Sequence, residues 1–388
     1  MIRGASRLVV TATTSVVDVV EAMQHAIGGG PKVLGRPFLT PTRVFSAPIY
    51  ASIRRVTRAI GAAIDAALVR AKPLLTEVEH DIQGDAALAV LNGVVGDHLR
   101  ESGNPLAIPM RLRHDRRPLV LTPTALRAVY PEADRKVLVL VHGSCRHDGQ
   151  WNRGGRDPFA ALARDLGFTA VHLHYNTGLH VATNGRSLAT LLERLVTAWP
   201  VPVGELAIIG HSMGGLVARS ACHVADLEDH AWRRKLRTLI CVATPHHGAP
   251  LERGGHWIDV LLEISRYSAP LARLGRLRSA GVTDMRFGNV LEEHHDANGR
   301  FAFGGDRRRE LTLPDGVRCY AVAATRTPRP TEKLASDGLV PVESALGRHR
   351  DPKLTLAFTE TWVGYGMGHI QMLDRPEVHA VIRSWLSR

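Results

Sequence analysis

The spacing of apolar and polar residues along the chain changes near residue 105. Beyond that position, short and almost uninterrupted apolar runs alternate with stretches whose apolar residues recur every three or four positions. Runs of the first kind are typical of strands buried on both faces of a sheet, and stretches of the second kind are typical of amphipathic helices. The pattern therefore predicts an α/β fold with a mostly parallel central sheet flanked by helices.

The individual elements follow from these runs. The predicted strands cover residues 137–142, 169–175, 206–210, 238–243, 317–324 and 354–361. The predicted helices between or after them cover residues 158–166, 187–199, 213–227 and 375–386. Residues 106–112 and 118–122 flank a polar turn and predict a hairpin at the sheet edge.

Residues 1–103 lack the alternation and predict a helical appendage before an α/β domain at 104–388. Residues 54–75 carry apolar positions at helical spacing, and a second helical pattern covers 85–99. A linker rich in glycine and proline runs over 28–48.

Composition and charge exclude several classes of protein. With 45% hydrophobic and 22% charged residues the chain is an ordinary globular protein, and no uninterrupted apolar segment is long enough to cross a membrane. The net charge of +12 comes from scattered residues, and the densest basic run, 306–310, is bracketed by acids without interleaved aromatics. We therefore expect no nucleic-acid partner. The basic residues among the first hundred are compatible with weak peripheral contact with an anionic membrane.

The cysteines and the amino-terminal segment indicate the cellular compartment of the protein. Cys145, Cys222, Cys241 and Cys319 show no C-x-x-C spacing, which favours free buried thiols in a reducing compartment. The first apolar run is broken by threonines and Asp18 and lacks a clear cleavage site for export. The expected location is cytoplasmic.

The strongest chemical signal is a G-x-S-x-G motif, in which Gly210 and Gly214 flank Ser212. The motif follows an apolar strand and opens a helical pattern, which is the context that makes it informative. In such a turn, side chains at the glycine positions would clash with neighbouring backbone, and the serine hydroxyl projects above the sheet. Ser212 is thus the candidate nucleophile.

A serine needs a general base and a carboxylate that orients it. His369 follows the last predicted strand, and Asp337 lies in a polar turn after the strand at 317–324, so the chain order is Ser, Asp, His. The alternatives for the carboxylate are Asp306, Asp315 and Glu343.

Two backbone amides would complete the site by stabilising a developing oxyanion. The helix that begins at Met213 supplies one, and the turn after the strand at 137–142 supplies the other through Ser144, with Cys145 as the second choice. Gly143 lets this turn approach a substrate closely.

At this point the chain resembles the α/β-hydrolase superfamily, and within it the lipase-like and PGAP1-like serine esterases. The resemblance covers residues 105–388, and five motifs in order carry it: HG at 142–143, GHSMGG at 210–215, ATPHHGAP at 243–250, SDGLVP at 336–341 and GMGH at 366–369. It implies the α/β-hydrolase fold and the hydrolysis of carboxylic esters through an acyl-enzyme, with Ser212, Asp337 and His369 at the triad positions.

An insertion at residues 246–312 is too long for a plain connection and predicts a helical lid. Its apolar residues recur at helical spacing through 256–278. The histidine pairs at 246–247 and 294–295 show no metal-ligand spacing, and no glycine-rich phosphate loop follows a strand, so neither a metal nor a nucleotide cofactor is expected.

These features predict a carboxylic ester hydrolase that acts on a small or lipid-like ester without a cofactor. A polyester depolymerase, a thioesterase and an acyltransferase use the same machinery, and a catalytically silent binding protein could keep the same fold.

Overall fold

The structure is a computed structural model, and it describes residues 82–152, 155–249, 279–294, 308–328 and 335–388. The predicted helix at 54–75, the linker at 28–48 and the apolar face at 256–278 lie outside these ranges. Most of the predicted lid therefore lies outside the described residues and stays a prediction.

An eight-stranded sheet forms the centre of the domain. Its strands are, in chain order, β1 (Arg111–His114), β2 (Arg117–Pro118), β3 (Lys136–Val141), β4 (Phe168–His174), β5 (Glu205–His211), β6 (Leu236–Val242), β7 (Arg318–Thr325) and β8 (Glu360–Tyr365). Their order in space is β2-β1-β4-β3-β5-β6-β7-β8. Strands β3 to β8 pair in parallel, and β1 is antiparallel to both of its neighbours. The predicted α/β fold with a mostly parallel sheet is confirmed.

Helices flank this sheet. They are α1 (Ile82–Glu101), α2 (Pro123–Val129), α3 (Pro158–Asp165), α4 (Val181–Ala198), α5 (Met213–Leu227), α6 (Ala280–Asp284), α7 (Val342–Ala345) and α8 (Pro376–Leu386). Within the described ranges, no helix is both long enough and apolar enough to span a bilayer.

Strand β3 shows why a central strand is apolar at every position. Successive side chains point to opposite faces of a strand, so Val137 and Val139 enter one core and Leu138 and Leu140 the other. Helices α4 and α5 cover the first face, and α3 and α8 cover the second. A run without polar interruptions is therefore what a doubly covered strand requires.

The prediction of a strand at 354–361 is wrong. The last strand is β8, and the preceding residues include a 3-10 turn at Pro352–Leu354. The side chain of Leu356 packs over Gly347, so this apolar residue lies in a loop and not in the sheet. Strand β8 is an edge strand with half-exposed residues, and its sequence therefore lacks a continuous apolar run.

The structure differs from the expected elements at three other places: the hairpin, helix α2 and the start of helix α4. The predicted hairpin exists, but β1 begins at Arg111, where its pairing with β4 begins, and β2 has two residues. Helix α2, which no apolar period indicated, begins after the N-cap Thr122 with a proline in its first turn. Helix α4 begins six residues earlier than expected, because Val181, Asn184 and Gly185 pack against the domain.

Helix α1 lies within the predicted appendage at 1–103. Residues 82–98 and 108–388 form one compact unit. The division of the chain into an appendage at 1–103 and a domain at 104–388 stays a prediction. The contacts are specific: Asn176 Nδ2 donates to the carbonyl of Gly96 at 2.9 Å, and Ser279 Oγ donates to that of Gly93 at 2.6 Å. A hydrophobic period alone cannot show such polar docking of a helix on loops that are distant in sequence.

Candidate active site

Ser212 lies at the tight turn between β5 and α5. Its φ of 54° and ψ of −125° are a strained combination for a residue with a side chain, and the residue is 7% exposed. The two flanking glycines permit the turn. A Cβ on Gly210 would lie 2.6 Å from Gly215 Cα, and one on Gly214 would collide with the carbonyls of Val141 and His142.

His369 and Asp337 form a buried pair. His369 Nδ1 lies 2.7 Å from Asp337 Oδ2, and the residues are 6% and 1% exposed. The other carboxylate oxygen, Oδ1, accepts hydrogen bonds from the amides of Leu339 and Val340 at 2.9 Å and 2.8 Å. Asp337 is thus held with one oxygen on the backbone and the other on the imidazole.

Alternative carboxylates lie elsewhere. Glu343 is exposed and pairs with Arg348 at 3.3 Å, and Asp315 contributes its backbone carbonyl to Arg233. Asp306 lies outside the described residues. Of the described acids considered for this role, Asp337 is the one that contacts His369.

The elements that carry these residues meet at the carboxyl edge of the sheet. His211 Nε2 donates to the carbonyl of His369 at 3.1 Å, which joins the residue before Ser212 to the histidine loop. A Cβ on Gly143 would lie 3.1 Å from Ser212 Cβ, so the turn after β3 lies directly against the serine. The structure therefore places Ser212, the turn after β3 and the pair of His369 and Asp337 at one edge of the sheet. Among the described contacts, no hydrogen bond joins the Ser212 hydroxyl to His369.

The hydrogen bonds of the turn after β3 show which of its backbone amides is available to an oxyanion. The Gly143 amide donates to Gln150 Oε1 at 3.3 Å, and the Cys145 amide donates to Thr177 Oγ1 at 3.0 Å. The amide of Cys145, the second choice from the sequence, is therefore already bonded to the protein. The Ser144 amide lies between these two and has no hydrogen bond to another described group.

Met213 supplies the other amide. It is the first residue of α5, where backbone N–H groups lack an acceptor within the helix. Such N–H groups carry the positive end of the helix dipole toward the residue that precedes them. The arrangement is suited to stabilise negative charge beside Ser212.

Gln150 and Thr177 are site residues that the sequence did not indicate. Each accepts a hydrogen bond from an amide of the turn after β3. Gln150 lies in the 3-10 turn Asp148–Trp151 and Thr177 lies in a loop, and neither belongs to a recognisable motif. Their relevance depends on contacts across 7 and 32 residues of chain.

A buried charge cluster supports the same turn. Asp148 Oδ1 lies 3.1 Å from both Arg113 Nη1 and His174 Nδ1, and Arg113 also contacts Asp85 on α1 at 3.3 Å. Burial opposes ionisation of Asp148, but its contacts with His174 and Arg113 outweigh burial and hold its pKa well below the usual range. The cluster thus links α1 and β1 to the segment that carries Gln150.

His142 lies next to this cluster and begins the turn. Its Nδ1–H donates to the carbonyl of Gly143 at 2.9 Å, and its ring stacks on Tyr175 with 4.4 Å between centroids. Burial, together with nearby His174, lowers the pKa of His142 to about 3. His142 is therefore neutral at pH 7 and serves the turn as a hydrogen-bond donor.

This shift gives an expected pH dependence of stability. Because the folded pKa lies below the value of about 6.5 in an unfolded chain, the unfolded state binds the extra proton. The contribution of His142 is complete above about pH 6.5 and declines by up to about 1.4 kcal/mol per pH unit as the pH falls toward 3. Urea unfolding between about pH 7 and pH 5 should give a shallower pH slope for His142→Gln than for the wild type.

The control for this slope is Gly204→Ala, which removes no titratable group and adds a methyl whose nearest neighbours are 3.7 Å away. Equal slopes in the wild type and in His142→Gln would mean that His142 takes up no proton on unfolding, which contradicts the prediction.

The thiols do not compete with Ser212 as nucleophiles. All four cysteines are free and buried. Burial raises the pKa of the Cys145 thiol to about 11, and that of the other three to about 12. Cys145, although close to the candidate oxyanion turn, is therefore a neutral thiol at pH 7.

The histidines considered for a metal have protein partners. His246 Nδ1 accepts from Arg219 at 3.2 Å, His247 Nε2 donates to Gly347 O at 2.9 Å, and His294 Nδ1 accepts from the Val290 amide at 3.2 Å. Across the parts of the chain that the structure describes, no three metal-ligating side chains cluster. His295 and Asp296 lie outside those parts.

Comparisons with known proteins agree with this architecture. Residues 177–293 match the family model described as the PGAP1-like alpha/beta domain. No curated protein matches the chain. The match and the sheet with its turn at Ser212 confirm the predicted α/β-hydrolase fold, and they confirm the PGAP1-like resemblance over the matched residues.

Solved structures with similarity to this chain include two hydrolases. The mature lipase BlEst2 from Bacillus licheniformis is 18% identical with a TM-score of 0.41, over 66% of this chain and 94% of that one. The esterase Pf2001 from Pyrococcus furiosus is 14% identical with a TM-score of 0.41, over 66% of this chain and 83% of that one.

Proposed function

We propose that the chain is a serine hydrolase that cleaves carboxylic esters through an acyl-enzyme. The observation that carries the proposal is the buried hydrogen bond of 2.7 Å between His369 and Asp337, beside the strained turn of Ser212. A carboxylate accepts this bond, so Nδ1 of His369 carries a proton, and in the neutral imidazole Nε2 then keeps a lone pair. That tautomer is the one a general base requires.

In the first half of the reaction, Ser212 Oγ attacks the ester carbonyl carbon and His369 Nε2 takes the hydroxyl proton. The amides of Ser144 and Met213 stabilise the oxyanion that forms. His369 then protonates the leaving alcohol, and the acyl group stays on Ser212.

In the second half, His369 takes a proton from water while the water oxygen attacks the acyl carbon. The bond from that carbon to Ser212 Oγ then breaks, His369 returns the proton to Oγ, and the acid leaves. Asp337 orients the imidazole and stabilises its protonated form in both halves. The two amides that hold Asp337 Oδ1 leave only Oδ2 for His369 and so fix the direction of the pair.

We place the substrate among small or lipid-like esters and the activity in the cytoplasm. The four buried free cysteines support a reducing compartment. Thioesters, polyesters and acyl acceptors other than water use the same steps, and pocket shape and water access separate them.

The test is hydrolysis of p-nitrophenyl esters from short to long acyl chains, together with labelling by a fluorophosphonate probe. We expect saturable hydrolysis by the wild type and stoichiometric labelling at Ser212, because the probe reacts only with an activated serine. The optimum chain length distinguishes a short-chain esterase from a lipase.

Ser384→Ala is a matched control, because Ser384 is an exposed serine on α8 whose hydroxyl bonds to the carbonyl of Val381. It should keep full labelling. A folded wild type that neither labels nor hydrolyses any ester or thioester would overturn the proposal and favour a silent scaffold.

A further inference from the structure

The peptide that carries the Ser144 amide lies between two peptide planes that are each hydrogen-bonded to a side chain. The Gly143 amide, in the preceding plane, donates to Gln150 Oε1 at 3.3 Å, and the Cys145 amide, in the following plane, donates to Thr177 Oγ1 at 3.0 Å. Peptide units are planar and rotate as rigid bodies about their Cα atoms, so a bond to one plane restricts its neighbour. The orientation of the Ser144 amide therefore depends on both of these side chains.

Cys145 has a backbone conformation that its surroundings must maintain. Its φ of 57° lies in the left-handed region, which is unfavourable for a residue with a Cβ. Such a conformation persists where the contacts around it over-determine it. Cys145 is 2% exposed and Thr177 is 1% exposed, so loss of the threonine oxygen would leave a buried N–H without an acceptor at a residue that is already strained.

Helix α1 contacts Cys145 through a second residue, the buried Gly93. A Cβ on Gly93 would overlap Cys145 Sγ and lie 3.0 Å from Cys145 Cα. A glycine in the interior of a helix destabilises it relative to alanine, so its presence calls for a reason such as close packing. The reason here is the approach of the backbone of Cys145 to the backbone of the helix.

The same helix also holds the loop after β4, residues 175–180, which carries Thr177. Helix α1 has a kink at Val95, whose φ of −133° and ψ of 20° are not helical. Beside the kink, the carbonyl of Gly96 accepts the hydrogen bond from Asn176 Nδ2 at 2.9 Å, and a Cβ on Gly96 would overlap the Asn176 side chain. Helix α1 therefore contacts the turn after β3 directly and also fixes the residue that precedes Thr177.

We propose that Thr177 and Gly93 are positioning residues: they hold the turn after β3 in the conformation in which the Ser144 amide can donate to an oxyanion. The inference rests on the proposed function, and it assigns a part in catalysis to α1 and to the loop after β4. Both residues act through Cys145. A displaced Ser144 amide weakens stabilisation of the transition state and not binding of the substrate, so kcat should fall while KM stays the same.

The first test is Thr177→Val, which keeps the branched shape of the side chain and removes the acceptor. We expect kcat for a p-nitrophenyl ester to fall about 100-fold, with KM within about threefold of the wild type, because displacing an oxyanion donor costs activity on this scale. Thr177→Ser keeps the hydroxyl and should restore kcat to within about fivefold of the wild type.

The second readout is inhibition by an alkyl trifluoromethyl ketone, which separates positioning from a loss of folded enzyme. Ser212 Oγ adds to the ketone carbon, His369 takes the hydroxyl proton, and the former carbonyl oxygen becomes an oxyanion that resembles the transition state. In Thr177→Val we expect Ki to rise by the factor by which kcat falls. A merely structural role would reduce the fraction of folded enzyme and hence the apparent kcat, and would leave Ki unchanged.

Gly93→Ala tests the contact with α1 independently. The change favours a helix by itself, but the new methyl would push against Cys145, so we expect a lower kcat and a higher Ki with little change in KM. If Thr177→Val does not fold, the same measurements on Gly93→Ala decide the question.

Each substitution has a matched control. Thr190→Val removes the hydroxyl of an exposed threonine on α4 that donates to the carbonyl of Arg186 at 3.1 Å, and Gly204→Ala adds a methyl that meets only ordinary contacts. Both controls should keep kcat, KM and Ki within about twofold of the wild type.

Failure of this inference and failure of the proposed function give different results. A folded wild type that shows neither hydrolysis nor labelling would overturn both. An active wild type whose Thr177→Val variant keeps kcat and Ki within about threefold would overturn the positioning role and leave the proposed function standing. A loss of kcat with an unchanged Ki, or one that Thr177→Ser does not restore, would indicate a structural role only and would also overturn the inference.

Discussion

Ser212→Ala is expected to lower kcat/KM for a p-nitrophenyl ester by about 10⁴-fold to 10⁶-fold, while the protein stays folded. The variant lacks the oxygen that would form the acyl-enzyme, and the residual rate would come from the oxyanion amides and substrate binding alone. The hydroxyl of Ser212 has no hydrogen bond to another described group, so its removal leaves no buried group without a partner. Steady-state kinetics and urea unfolding of the same samples check both statements.

His369→Ala should lose activity to a similar extent, and the double variant with Ser212→Ala should lose no more than either single one. Residues that act as one unit show this failure of additivity, whereas independent contributions multiply. Ser384→Ala serves as the control for a serine outside the site. Ser212→Ala that retains activity within about tenfold of the wild type would contradict the assignment of the nucleophile.

Gly210→Ala is expected to destabilise the fold by about 3 kcal/mol and to abolish ester hydrolysis with it. The new Cβ would lie 2.6 Å from both Cα and N of Gly215 and 2.7 Å from the carbonyl carbon of Gly214. These are backbone atoms of α5, which cannot turn aside as a flexible side chain can. Because α5 is buried against β5, relief of the clash must displace the helix that begins at Met213.

Gly204→Ala is the matched control, since it makes the same chemical change immediately before the same strand. Its Cβ would find Arg135 Nε and O at 3.7 Å, which is ordinary contact, and its stability should lie within about 0.5 kcal/mol of the wild type. The midpoint of urea unfolding measures both variants. Equal midpoints for the two would show that the approach between β5 and α5 is not the constraint proposed here.

The local architecture around Ser212 was predictable because it depends on near neighbours in the chain. The apolar run of β5, the two glycines and the helical period that follows all lie within residues 205–227, and the structure has strand, turn and helix at those positions. The two glycines are required sterically, because a Cβ at either position would clash with backbone atoms of neighbouring residues. The same reasoning failed for β8, where partial exposure removes the apolar signal.

Pairing of Asp337 with His369 was only partly predictable. Chain order left three other carboxylates open, and the backbone amides of Leu339 and Val340 together with the histidine loop select Asp337. From the sequence, the amides of Ser144 and Cys145 were both candidates for the second oxyanion donor. The hydrogen bond from the Cys145 amide to Thr177 Oγ1 favours Ser144. In both cases the choice depends on hydrogen bonds between loops.

The sequence by itself determined the α/β class, the nucleophile turn and the order of the candidate triad, because each follows from spacing within one element or from the order of elements. Only the tertiary structure decided which carboxylate contacts His369, which amide of the turn after β3 has no described partner, and that residues 82–98 group with residues 108–388. The physical reason is that these hydrogen bonds depend on distances between segments far apart in the chain, whereas periodicity records only which face of an element is buried.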